Sequence, residues 1–114
     1  MKGAREEQLA LEYLQARGLK LVERNYRAKT GELDLVLRDG TTLVIAEVRK
    51  RSHAAFAGGA ESVDRRKQQR IARTAQMFLA GHGEFSQCPV RFDVLALDAH
   101  DRIDWIRDAF VAED

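Results

Sequence analysis

Apolar residues recur along this chain in two periods, and the period changes mark the elements. In residues 4–17 Leu9, Ala10, Tyr13 and Leu14 form a stripe at helical spacing, and Gly18 supplies a C-terminal stop. Leu19 and Leu21 alternate with polar neighbours, so 19–26 reads as a strand. Residues 31–51 form two further apolar runs around Asp39-Gly40, a pair that favours a tight hairpin. Small residues without period fill 52–60, where a loop is expected. A long helix follows over about 62–81, capped by Ser62 and closed by Gly81, with Ile71, Ala72, Ala75, Phe78 and Leu79 on its buried side. Residues 90–97 make a strand with little polar surface, and Ile103, Trp105 and Arg107 make a last one. The order is α-β-β-β-α-β-β, which predicts an α/β fold with a mixed sheet flanked by helices.

The hairpin places charge where an apolar sheet makes charge costly. A two-residue turn at Asp39-Gly40 sets Arg38 opposite Thr41, Glu32 opposite Glu47, and Asp34 one diagonal step from Glu47. Alternation then gathers Glu32, Asp34, Glu47 and Arg49 on one face at the open end. Leu33, Leu35, Leu37, Val44, Ala46 and Val48 fall on the other. Clustered carboxylates repel one another, and a divalent cation removes that cost. Mg²⁺ or Mn²⁺, which take carboxylate oxygens together with water and phosphate, are the expected ions, held by Asp34 and Glu47 with Glu32 as a further ligand or hydrogen-bond acceptor.

Several of these segments together resemble a known group. Gly31-Glu32-Leu33-Asp34-Leu35-Val36 and Leu43-Val44-Ile45-Ala46-Glu47-Val48-Arg49 are similar to the uncharacterised YraN family, as are Arg24-Asn25-Tyr26-Arg27, Gly58-Gly59, Val63 with Lys67-Gln68, and Val90-Arg91-Phe92-Asp93-Val94. That family resembles the PD-(D/E)xK nuclease superfamily, of the Holliday-junction-resolvase type. The resemblance implies a restriction-endonuclease-like fold and a metal-dependent nuclease acting on branched DNA. It makes Asp34 and Glu47 metal ligands and adds Glu7 of the first helix to the metal site. It gives Gln68 the task of positioning water or phosphate. The catalytic cation of the Glu-x-Lys pattern falls at Arg49, whose guanidinium stays protonated and cannot relay a proton. A non-catalytic module that binds nucleic acid or a protein partner is therefore the alternative, and a purely structural interaction protein a third reading.

Charge and composition refine the picture. The net charge is only +1, yet Arg49, Lys50, Arg51, Arg65, Arg66, Lys67, Arg70 and Arg73 face just Glu61 and Asp64 in that stretch. A basic zone beside an acidic pocket suits a nucleic-acid backbone, with Arg27, Arg51, Arg66, Lys67, Arg70 and Arg73 as contacts. A solvated helix face accounts for the same charges. The 114 residues predict one domain over 1–114, and two-fold symmetry in a homodimer would suit a duplex or junction. One cysteine, Cys88, excludes an internal disulfide and fits a reducing cytoplasm. His53, His82 and His100 lack zinc-site spacing, and no apolar run approaches the ~20 residues of a membrane span.

Overall fold

A computed structural model describes residues 3–51 and 63–112. The expected loop at 52–60, with His53, Gly58-Gly59 and the Ser62 cap, lies outside the described residues. The elements are α1 (Ala4–Ala16), β1 (Lys20–Ala28), β2 (Gly31–Asp39), β3 (Thr42–Lys50), α2 (Arg65–Gly81), β4 (Val90–Leu97) and β5 (Ile103–Phe110). This is the α-β-β-β-α-β-β order of a restriction-endonuclease-like α/β fold.

The strands lie in chain order across one sheet. β1, β2 and β3 form an antiparallel meander, β3 and β4 run parallel with α2 as the crossover, and β4 and β5 return as a hairpin. Both faces are covered. Leu11 and Leu14 of α1 pack on Leu35, Leu37, Val44, Ala46, Leu95 and Leu97, while Ile71, Ala75 and Phe78 of α2 pack on Leu33, Val36, Leu43, Ile45, Phe92 and Val94. No helix among the described residues is long and apolar enough to cross a membrane.

Local chemistry fixes the element ends. Gly18, at φ 95, takes the left-handed turn after α1, and Leu19 N donates to Leu14 O at 3.1 Å. Asp64 caps α2 through Lys67 N at 2.8 Å. β5 runs on to Phe110, past the expected end near Arg107, because a bulge there is anchored: Asp108, at φ 53, gives its N–H to the buried Asp93 at 3.0 Å.

The central hairpin departs from the expected register by two residues. Asp39 pairs with Thr42, and Leu35 with Ala46, so the turn residues are Gly40 and Thr41. Gly40, at φ 62, takes the left-handed first turn position at no steric cost. An even shift keeps every side chain on its face, so the acidic residues stay together. Asp34, placed diagonally to Glu47 by the sequence, instead comes directly across from it.

A second departure lies one rung further on. Leu33 packs with the α2 cluster although Leu35 and Leu37 pack with the α1 cluster. Alternation therefore slips at Asp34. Ladder pairing between β2 and β3 ends at Leu35–Ala46, and side chains take over beyond it: Val48 N donates to Asp34 Oδ2 at 2.9 Å, and Asp34 N donates to Glu47 Oε2 at 3.4 Å. The strands part where the carboxylates sit.

Candidate acidic centre

Chain direction brings the relevant ends together. α1 leads into the start of β1 and α2 follows the end of β3, so the N-termini of both helices stand at the edge where β2 begins and β3 ends. Backbone N–H groups at a helix start carry partial positive charge, which favours anions nearby. At this edge a cavity of about 490 Å³ is lined by Asn25, Arg27, Glu32, Asp34, Glu47, Lys67 and Arg70.

The carboxylates arrive from separate elements. Glu7 comes from the first turn of α1, Glu32 and Asp34 from β2, and Glu47 from β3. Asp34, Glu47 and Glu7 are buried, at 8%, 3% and 6% exposure, so their charge is weakly screened by water. One carboxylate oxygen from each of Glu7, Glu32 and Asp34 lies within 4.8 Å of the other two. An octahedral Mg²⁺ or Mn²⁺ holds its oxygens about 3–4 Å apart, so small side-chain rotations suffice to share one ion. The donor set is all carboxylate, the chemistry such ions prefer. Glu47 lines the same cavity with Oε2 turned to Asp34 N.

The electrostatics of the trio show its strain. Burial pushes the Glu7 carboxyl above its ordinary range, and the charges of Asp34 and Glu32 push further. The Asn25 side chain and the Arg24 charge act the other way. Arg24 also donates to Gln8 at 2.9 Å, tying β1 to α1 one position beyond Glu7.

The expected cations divide into four groups. Arg27, Lys67 and Arg70 line the cavity. Arg27 Nε donates to Glu32 Oε2 at 2.9 Å, a solvent-exposed pair of small net value. Arg66 and Arg73 lie exposed on α2 outside the lining. Arg51 sits at the same sheet edge but toward β5, where Nη2 donates to Asp104 at 2.8 Å. Arg49, half-buried, follows Glu47 by two positions on β3.

Gln68, to which the resemblance gives the positioning of water or phosphate, does not line the acidic cavity. Its Nε2 donates to Val63 O at 2.9 Å, and it lines a separate cavity of about 260 Å³ with Arg65, Gln69 and Val111. Lys67 occupies the position over the carboxylates instead. Asp64 caps α2, and Lys67 and Gln68, four and three residues before Ile71, flank its buried stripe on either side.

The comparisons bear on this arrangement. A model of an uncharacterised protein family, UPF0102, matches residues 6–97. The chain belongs to the UPF0102 family. A UPF0102 protein of Stutzerimonas stutzeri is 50% identical over 111 residues, covering 95% of this chain and 92% of its own. One from Ralstonia nicotianae is 54% identical over 116 residues, covering 97% and 87%. One from Halorhodospira halophila is 45% identical over 112 residues, covering 98% and 88%. The UPF0102 match includes Glu7, Glu32, Asp34, Glu47 and the whole of α2, so the acidic centre lies within the family's matched region.

Sequence reasoning gave neither Asn25 nor Gly31 a place at the acidic centre. Asn25 lines the cavity from β1, and the visible signal was an asparagine inside a strand, where that residue is disfavoured. Gly31 lets β2 begin against α2: it has φ 146, and a Cβ there would stand 3.3 Å from Thr74 Oγ1.

Proposed function

We propose that this UPF0102 protein is a divalent-metal-dependent nuclease acting on DNA, with Mg²⁺ or Mn²⁺ held among Asp34, Glu47, Glu32 and Glu7. The observation that carries the reading is a convergence of carboxylates: Glu7 of α1 meets Glu32 and Asp34 of β2, and these two line one cavity with Glu47 of β3, Arg27, Lys67 and Arg70. When bound, the ion supplies an activated water and stabilises charge on the phosphate being cleaved. Asp34 and Glu47 fix its place because the parted strands hold both side chains against backbone N–H groups. Lys67 and Arg70 hold phosphate at the cavity mouth, while Arg66 and Arg73 extend the positive surface along α2. Arg49 stands beside Glu47 as the cation for phosphate charge.

The test is Mn²⁺ binding by calorimetry, with cleavage of branched and duplex DNA measured alongside. Asp34→Asn with Glu47→Gln is expected to abolish both while circular dichroism stays native. Equal Mn²⁺ affinity in the double variant refutes the reading.

A second reading, a DNA-binding module without cleavage, is favoured by two specific observations. Arginine stands at the Glu-x-Lys cation position, and the Gln68 amide is committed to Val63 O. Arg49→Lys separates the readings. A gain of Mn²⁺-dependent cleavage points to an arginine-blocked centre, and salt-sensitive DNA binding with no cleavage by either form points to the module.

A further inference from the structure

The left-handed residue in β1 stands at the same level as the break between β2 and β3. Arg24 pairs with Leu35 and Tyr26 with Leu33, which puts Asn25 level with Asp34. Asn25 has φ 56, in a strand whose neighbours on both sides keep the ladder. A left-handed residue inside a strand breaks alternation and redirects its side chain, and asparagine tolerates this better than any other non-glycine residue. Such strain persists where surrounding contacts over-determine it. Here the redirected side chain lines the acidic cavity beside Glu32 and Asp34, and it opposes the upward push of burial on the neighbouring Glu7 carboxyl.

We infer that Asn25 is a positioning residue of the acidic centre, whose left-handed backbone aims its carboxamide at Glu7 and holds that carboxylate toward Glu32 and Asp34. The inference rests on the metal-binding reading above and adds a division of labour to it. Asp34 and Glu47 are fixed by backbone N–H groups of the parted strands, whereas Glu7 arrives on a separate helix. The carboxamide is a neutral donor, so it orients Glu7 without competing with a cation for its charge. A lysine there would form an ion pair with Glu7 and fill the place of the metal.

The backbone and side-chain roles can be tested apart. Asn25→Gly keeps the left-handed conformation and removes the amide; Glu7→Ala removes the group on which the amide acts. Calorimetry is expected to show about tenfold weaker Mn²⁺ binding in Asn25→Gly, and less than twofold further loss when Asn25→Gly is added to Glu7→Ala. The electron paramagnetic resonance spectrum of Mn²⁺ bound to Asn25→Gly should match that of Glu7→Ala and differ from that of the natural chain. In chelator, the urea midpoint should shift by different amounts when Asn25→Gly is made in the natural chain and in Glu7→Ala. Undiminished Mn²⁺ affinity in Asn25→Gly overturns the inference and leaves the metal reading standing. Absence of Mn²⁺ binding by the natural chain removes the metal reading, and the chelator arm then decides: equal midpoint shifts in the two backgrounds overturn the role of Asn25.

Discussion

Replacing Asp93 by asparagine tests whether a buried carboxylate holds the β4–β5 half of the sheet. Asp93 is fully buried. One oxygen accepts Trp105 Nε1 at 2.9 Å and Arg91 Nη2 at 3.2 Å, and the other accepts Asp108 N at 3.0 Å and Arg91 Nε at 3.1 Å. An amide offers one acceptor and one donor, so on whichever side its NH₂ falls, two N–H groups lose their partner. Each hydrogen bond to a charged group contributes about 1.5–3 kcal/mol. Breaking a buried ion pair outright costs about 3–5 kcal/mol. Arg91 keeps Asp39 at 3.0 Å, which holds the loss at the lower end. We expect Asp93→Asn to cost about 3 kcal/mol, lowering Tm by about 10–15 °C for a domain of this size. Urea denaturation followed by circular dichroism should show a lower midpoint with an unchanged slope. Asp39→Asn, at the exposed end of the same network, should cost at most about 1 kcal/mol. A loss below about 1 kcal/mol for Asp93→Asn would show that the network is not what anchors β5.

Two further outcomes follow from the turn and strand geometry. Gly31→Ala forces a Cβ toward Thr74 at a φ only glycine adopts comfortably, and should cost about 1–3 kcal/mol in thermal unfolding; an unchanged Tm would show that β2 can start elsewhere. Asp98 accepts N–H bonds from Arg102 at 2.9 Å and His100 at 2.8 Å, and the bond from Arg102 foremost holds its carboxyl below the usual range. Its stabilisation is present above the ordinary carboxylate pKa and lost as pH falls through the depressed one. The Tm deficit of Asp98→Ala should therefore be full at neutral pH and vanish in acid; a deficit that persists in acid would place its origin outside the charge.

The elements were legible because their hydrophobic periods are long, and β3 and α2 are clear examples. The register was not, since Asp39-Gly40 and Gly40-Thr41 both supply a glycine to a two-residue turn and differ only in which strand keeps Asp39. The carboxylates still shared an end because the error was even. Leu33 was assigned to the wrong face because alternation assumes a continuous ladder, and the ladder stops at Leu35 where side chains replace it. Periodicity leaves Lys67 and Gln68 equally close to the stripe through Ile71, and only the folded structure shows that Lys67 lines the acidic cavity. The Asp93 network was not legible, because Arg91 is its neighbour on β4 but Trp105 and Asp108 come from β5, and Asp108 reaches it only through the bulge.

The parallel pairing of β3 with β4 divides the molecule by folding distance. β1, β2 and β3 close through two tight reversals, whereas Leu43 meets Val90 only after the whole of α2 has been traversed. Contacts distant in sequence carry a larger loop-closure cost before they stabilise anything. The Asp34–Glu47 pair thus belongs to the short-range half of the chain, while β4 and the Asp93 anchor belong to the long-range half. Lengthening the connection before α2 taxes the assembly of β4 and β5 first, and leaves the local encounter of the two acidic strands untouched.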